Sequence, residues 1–432
     1  MTVEEQNWMV TGAGPDASLE EKLGVYISVP FCHSKCSFCN FASGVSSAAA
    51  VDAYVTRLCQ EIASVPDRAE KLRVQLPRLV DTVYFGGGTP SLLSPGQLGR
   101  IFSALREIFE VAGDAEITLE AAPGQIGDAL LDEALNRGVN RISLGVQSFV
   151  DRESAAVGRS HTGIDCVEEV QRLQRAGISD LGADLIVGLP YQTEASWQQS
   201  LRAATGIGLT HLSVYILEVD DSSRLGREAL AGGRRFHAHA LPSDEVTATL
   251  YASACEWLPT QGFAQYEISN FAAPEHLSRH NCKYWLRAPY IGFGLDAHSM
   301  LLREEQATEA TDGGFRRALR FANPEELAQY HDGARSSPFR MAAENDGSAT
   351  EIGRCEAFEE SVFLGLRMNQ GISPAQLGKD FSADMLASAE YAAGELMREG
   401  LMVEQDARWR LTLRGRLLFN EVFTRLLMDV AA

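Results

Sequence analysis

Residues 25–39 read VYISVPFCHSKCSFC, a β-branched run that leads into a loop carrying Cys32, Cys36 and Cys39. Gaps of three and two residues let the three thiols gather on one side of a short loop. Thiolate is a soft ligand, so the loop suits zinc or an iron–sulfur cluster. A tetrahedral zinc site needs a fourth protein ligand, and no nearby residue offers a soft one. Phe41 stands where a fourth cysteine would follow at close range. A [4Fe–4S] cluster on three cysteines leaves one iron open to a small molecule. Free cysteine is also a common core residue, but core cysteines do not usually fall this close together. Spacing favours the cluster and leaves zinc open.

Outward from this loop, apolar or β-branched runs at 24–29, 81–85, 116–120, 141–146, 182–187 and 211–217 alternate with amphipathic segments at 51–64, 96–109, 163–176, 195–205 and 244–258. Strands alternating with helices imply βαβ units and a parallel sheet. Where the unusual residues fall decides between a doubly wound sheet and a barrel. The cysteine loop follows the first run, GGGT (86–89) the second, Glu120 ends the third, Gln147 follows the fourth, and Asp184 with Gly188 marks the fifth. Chemistry at the C-terminal ends of five strands is the arrangement of a (β/α) barrel mouth; a doubly wound sheet concentrates it at one crevice. The expected fold is α/β, a partial (β/α)6 barrel over 23–260 behind a loose acidic leader at 1–22. Residues 261–350 form a region dense in aromatics, His and Asn, followed by a pattern-poor stretch read as surface loop. From 351 to 432, helical periodicity at 357–366, 374–379 and 385–398, a short hairpin and a last helix predict a winged-helix-like module without a basic recognition helix.

The chain has 432 residues, 45% hydrophobic and 22% charged, which is ordinary globular composition. A net charge of −20 argues against nucleic acid or an anionic membrane surface as the main partner. No run of about 18 apolar residues occurs, so no spanning helix is expected, and the acidic N-terminus does not read as a signal peptide. A cytoplasmic location follows as the expectation. Cys59, Cys166, Cys255 and Cys355 read as scattered thiols rather than a disulfide framework.

Three glycines at a strand end allow close backbone approach to a ligand. Glu120 is placed to hold an ammonium or hydroxyls, although a solvated strand end reads equally well. Asp184, inside an apolar strand, needs a partner such as a ribose diol. Arg159 is placed to pair with a carboxylate, a surface arginine being the default. The segment HNCKYW (280–285) reads by itself as a polar-capped packing cluster.

Together these residues resemble the radical S-adenosylmethionine (SAM) superfamily and, within it, the coproporphyrinogen dehydrogenase/HemW group, over about residues 24–425. The resemblance implies a [4Fe–4S] cluster on Cys32, Cys36 and Cys39. It implies SAM bound by Tyr26, Phe38, Gly87, Gly88, Thr89, Glu120, Gln147, Arg159 and Asp184. YEISNF (266–271), HNCKYW (280–285), YIGFG (290–294) and Ala297-His298-Ser299 resemble the HemW branch. There the HNxxYW motif is associated with haem, which makes His280 the candidate axial ligand, with Cys282 and His298 as alternatives. Two positions depart from the family pattern: Ser28 stands where histidine is usual, and Asn40 where aspartate is usual in the HemW branch.

Phe41 in place of a cysteine, with only a short segment before the first strand, separates this chain from the coproporphyrinogen III dehydrogenases. The resemblance therefore implies a haem chaperone that delivers haem to apo-haemoproteins, including respiratory enzymes, with peripheral contact at the membrane and a homodimer as further expectations. An oxygen-independent coproporphyrinogen III oxidase and a HemN-like radical SAM methyltransferase are the alternatives.

Overall fold

Strict alternation shapes the central sheet. In β1 (Lys22–Val29), Leu23, Val25, Ile27 and Val29 are fully buried on one face, leaving Gly24, Tyr26 and Ser28 for the other. The same rule runs through β2 (Leu79–Gly87), β3 (Glu110–Ala121), β4 (Arg141–Gln147), β5 (Asp180–Val187) and β6 (His211–Ile216). One face carries Val83, Phe85, Ile117, Leu119, Ile142, Leu144, Leu185 and Val214, all in the main core. The opposite face is polar, with Thr82, Tyr84, Glu120, Ser143, Asp184 and Ser213. A computed structural model describes residues 21–303, 317–332 and 349–428 of this chain.

β1 to β6 pair in parallel and in sequence order, as right-handed βαβ units require. Four helices on the apolar face start at a side-chain cap: Ser47 for Ala48–Ala63, Ser94 for Pro95–Ile108, Thr162 for Gly163–Arg175 and Thr193 for Glu194–Gly206. The helix Asp128–Arg137, closed by Gly138 at φ 92°, has a short and weakly patterned sequence and was not among the expected helices.

The sheet is wider than the sequence pattern indicated. Its order is β12-β11-β10-β9-β1-β2-β3-β4-β5-β6-β8-β7, and its two edges do not meet, so the barrel stays open. Beyond β6 lie β8 (Asn270–Ala272) and β7 (Ala264–Gln265), both short and antiparallel. Beyond β1 lie the parallel β9 (Tyr290–Phe293) and the antiparallel β10 (His298–Leu302), β11 (Ala318–Ala322) and β12 (Ala349–Ile352). The stretch expected to be loop therefore supplies two strands and the helix Leu327–Asp332, while 304–316 and 333–348 lie outside the described residues; of the expected leader, residues 1–20 lie outside them too and Lys22 already opens β1.

The C-terminal module packs on this extension. Tyr290, Met300, Leu302, Ala318 and Ile352 of the sheet share a second core with Phe358, Val362, Leu396, Trp409 and Phe423. The helices Arg354–Arg367, Pro374–Asp380 and Ala383–Arg398, the hairpin β13 (Met402–Gln405) and β14 (Arg408–Leu411), and the helix Phe419–Met428 give the expected winged-helix-like arrangement. Among the described residues no helix is long and apolar enough to cross a membrane.

Candidate functional site

The polar face of the sheet gathers most of the predicted site residues at the C-terminal ends of its strands. The cysteine loop is tied to its neighbours through backbone: Cys32 N–H donates to Gly44 O, Ser37 N–H to Val157 O, and Leu225 N–H to Ser37 O. Cys36 is buried, while Cys32 and Cys39 are half-buried. Burial pushes the Cys36 thiol up. Arg159 and Arg224 oppose that shift, whereas Cys39 and Cys32 add to it, so all three sulfurs share one electrostatic neighbourhood. Thr89 Oγ1 donates to Cys32 Sγ at 3.6 Å. Among the described residues no three His, Cys, Asp or Glu side chains converge on a single ion. Cluster thiolates each bind a different iron and need no such convergence. Three thiols flanked by two guanidinium groups form a soft, charge-balanced donor set that fits an iron–sulfur cluster.

Beside the loop, the glycines at the end of β2 leave no room for side chains. A Cβ on Gly88 would lie 2.7 Å from Phe31 N, Phe31 O and Val29 O, and Gly87 sits at φ +100°. Gly88 N–H donates to Val29 O and Thr89 N–H to Phe31 O, which locks the glycine turn against the cysteine loop.

Further along the mouth, Tyr84 donates its hydroxyl to Glu120 Oε1 at 2.8 Å. Burial first, and then nearby Asp184, raise the Glu120 carboxyl against the pull of the Tyr84 hydroxyl and the Gly87 N–H, to about 7 in all. Burial also raises Asp184, which Ser213, Arg159 and Ser143 partly offset. These groups are ringed by protein yet keep some solvent contact, as side chains flooring an open cavity do; Tyr215 remains 42% exposed. Gln147, buried at the end of β4, holds φ +68°, a strained conformation of the kind found at ligand sites. Arg159 lies over Gly145, and its Nε is buried without a partner. Thr118 Oγ1, also on the polar face, is likewise unsatisfied. Such orphaned groups fit a polar ligand filling this space. Tyr84, Ser143, Ser213 and Tyr215 were missed by motif reading. Their signal was a polar side chain at every second residue of an otherwise apolar strand.

The HNxxYW segment lies at the other end of the sheet. It forms the helix Arg279–Trp285, whose first N–H groups, from Arg279 and His280, donate to the Glu116 carboxylate at 2.9 Å each. Lys283 forms a buried ion pair with Asp81 at 2.8 Å and donates to Lys22 O. Arg279 bonds Asp81 O and Asp114 O. These partners lie at or near the N-terminal ends of β1 and β2 or no further than the middle of β3, so the helix plugs the floor of the barrel. His280 is fully buried between Thr82 Oγ1 and Tyr284 Oη, each 2.9 Å from one ring nitrogen, and stacks on Tyr84 at 5.2 Å. Burial depresses its imidazole to about 3. Neither nitrogen is free for iron, and Cys282 is buried with its thiol raised by burial. Of the three haem-ligand candidates only His298, 60% exposed at its side chain, offers an open imidazole, and it faces Asp296 at 3.7 Å.

Comparison with known proteins agrees with this geometry. Residues 26–204 match the model of the radical SAM superfamily, and 354–418 match the HemN C-terminal domain. Heme chaperone HemW of Lactococcus lactis subsp. lactis is 30% identical over 95% of this chain and 99% of that protein. Its namesake from Synechocystis sp. is 34% identical over 82% of this chain and 79% of that protein. The solved coproporphyrinogen III oxidase HemN of Escherichia coli superposes with a TM-score of 0.75 at 24% identity, over 97% of this chain and 94% of that one, a likeness of fold. Within the radical SAM superfamily, whose members hold a [4Fe–4S] cluster and SAM, this chain belongs to the HemW family.

Proposed function

We propose that this protein is a haem chaperone: it binds haem and passes it to apo-haemoproteins. The observation that carries the reading is the end-to-end match to relatives named for that activity. Phe41 supports it. At 60% exposure it occupies the loop position where the porphyrinogen dehydrogenases carry an additional cysteine. Respiratory enzymes are the recipients we propose, reached from the cytoplasmic side of the membrane.

In this reading Cys32, Cys36 and Cys39 hold the cluster, with Arg159 and Arg224 balancing its charge. Tyr26, Phe38, Gly87, Gly88, Thr89, Glu120, Gln147, Arg159 and Asp184 line the SAM site. Gly87 and Gly88 offer backbone to the amino group, Glu120 accepts from it, and Asp184 accepts from a diol. When bound, the cluster with SAM supplies one-electron chemistry. The chain's own contribution is to orient these groups and to keep a partly closed, polar cavity around them. His280 fits the proposal as the residue that fixes the barrel floor beneath Tyr84.

Titrating ferric haem into the anaerobically reconstituted chain tests this. A stoichiometric complex that hands its haem to an apo-haemoprotein is expected; no binding would overturn the reading.

A further inference from the structure

Beside Arg224 and Phe38, one corner of the mouth holds a turn that has no role in the cluster or SAM sites above. After β6 the chain forms the helix Arg224–Leu230 and then a tight turn, 235–240, that folds back over the ends of β5 and β6. Phe236 and His237 are successive non-glycine residues at φ 53° and 59°, and Tyr191, which touches this turn, is itself at φ 69°. Three side chains in the left-handed region at one spot is a concentration of backbone strain typical of ligand sites.

The side chains it presents are specific. His237 is exposed, and its Nδ1 lies 2.9 Å from Tyr191 Oη. Tyr191 is itself held by its N–H to Ala240 O and by Arg152, whose guanidinium carbon lies 3.8 Å over its ring. With Nδ1–H donating to the Tyr191 hydroxyl oxygen, the tautomer that iron binding at Nε2 requires, the outward nitrogen carries the lone pair, the way a protein prepares a metal-ligating histidine. Among the described residues Nε2 of His237 has no partner, in contrast to His280. Phe236 joins Phe38 of the cysteine loop and Leu217 around a small apolar cluster, giving the turn an apolar side. Arg234 and Arg235 are exposed on a chain of net charge −20, and Arg235 also lies against the Phe236 ring at 5.4 Å. Of the acids beside the turn, Glu228 accepts from Arg235 N–H and Asp220 from Ser222 N–H. The exposed His298 lacks this setting, facing Asp296 with Glu325 beyond it.

An open imidazole, a flat apolar side and two guanidinium groups match a planar iron porphyrin with two carboxylates. Resting on the chaperone reading, we propose that the 235–240 turn presents the haem. His237 Nε2 ligates the iron, Tyr191 positions that ring, and Arg234 and Arg235 pair with the propionates.

The test is ferric haem titration of the reconstituted full chain, followed by its Soret band and its low-spin electron paramagnetic resonance signal, with iron and sulfide content as the folding control. His237→Ala is expected to lose the imidazole-ligated signal and to weaken binding about tenfold or more, keeping its cluster. Arg234→Glu with Arg235→Glu is expected to weaken haem but not its dimethyl ester. His280→Ala is expected to keep the wild-type signal. A His237→Ala spectrum and affinity equal to wild type would overturn this assignment and leave the chaperone reading standing. Failure of the wild type to bind haem would overturn both.

Discussion

Tyr84 and Glu120 share a proton donor and acceptor 2.8 Å apart on neighbouring strands, with Asp184 near enough to oppose ionisation of the carboxylate. Burial, with Asp184 adding to it and the Tyr84 hydroxyl opposing it, lifts Glu120 to about 7 in the folded chain, against an ordinary 4.5. The native state holds a proton that the unfolded chain has released between these values. Its stabilising contribution is complete below about 4.5 and is lost as the pH rises through 7. Glu120→Gln keeps an acceptor for Tyr84 and removes the charge. Denaturant titrations of the ligand-free variant should match wild type near pH 4.5 and show it about 3 kcal/mol more stable at pH 8. SAM affinity should fall about tenfold. A variant less stable at pH 8 would contradict this.

Buried neutral histidines set the acid limit. Burial depresses His280, His211 and His161 below 6.5. For a depressed histidine the unfolded chain takes the proton first, so stability is full above about 6.5 and is lost as the pH falls toward the folded value, about 3 for His280. His280→Ala should cost about 2–4 kcal/mol at pH 7.5 through lost packing and unpaired Thr82 and Tyr284 hydroxyls. The penalty should shrink at pH 5. A penalty that grows on acidification would show that the ring is charged in the folded state.

Accessibility should sort the eight cysteines. Burial raises the thiols of Cys36, Cys59, Cys255, Cys166 (to about 12) and Cys282, which keeps them in the unreactive protonated form. Brief alkylation of the cluster-free chain at neutral pH, read by mass spectrometry, should mark Cys32, Cys39 and Cys355. Reconstitution should protect Cys32 and Cys39 but not Cys355. Protection of Cys355 instead would place the cluster elsewhere.

Gly88 tests the coupling of the glycine turn to the cysteine loop. Gly88→Ala forces a methyl onto Phe31 and Val29 backbone that cannot retreat. A loss of about 1–3 kcal/mol is expected, together with impaired iron and sulfide retention. A normal cluster content would show the loop to be independent of the turn.

How much of this was legible in the sequence depended on the range of the signal. The six parallel strands and the mouth were readable because β1 to β6 alternate strictly and their termini carry cysteines, glycines and carboxylates. β9 was not, because YIGF is four residues long and contains glycine; only its pairing with β1 makes it a strand. β11 and β12 are set by partners rather than by their own pattern. His280 marks the sharper limit. Its motif named a ligand-like residue, but Glu116, Asp81 and Thr82, which turn it into a floor plug, lie more than 160 residues earlier. The Tyr191–His237 pair was equally hidden, since neither residue carries a motif and their meeting depends on a strained turn.

The central claim, that this radical SAM barrel carries haem rather than processing a porphyrinogen, is tested most directly by one anaerobic reaction. The reconstituted chain, SAM and a reductant are divided between coproporphyrinogen III and haem plus an apo-haemoprotein, and products are measured in both. The account predicts haem transfer and an intact coproporphyrinogen. Loss of two carboxyl groups from coproporphyrinogen with stoichiometric 5′-deoxyadenosine, and no haem transfer, would contradict it.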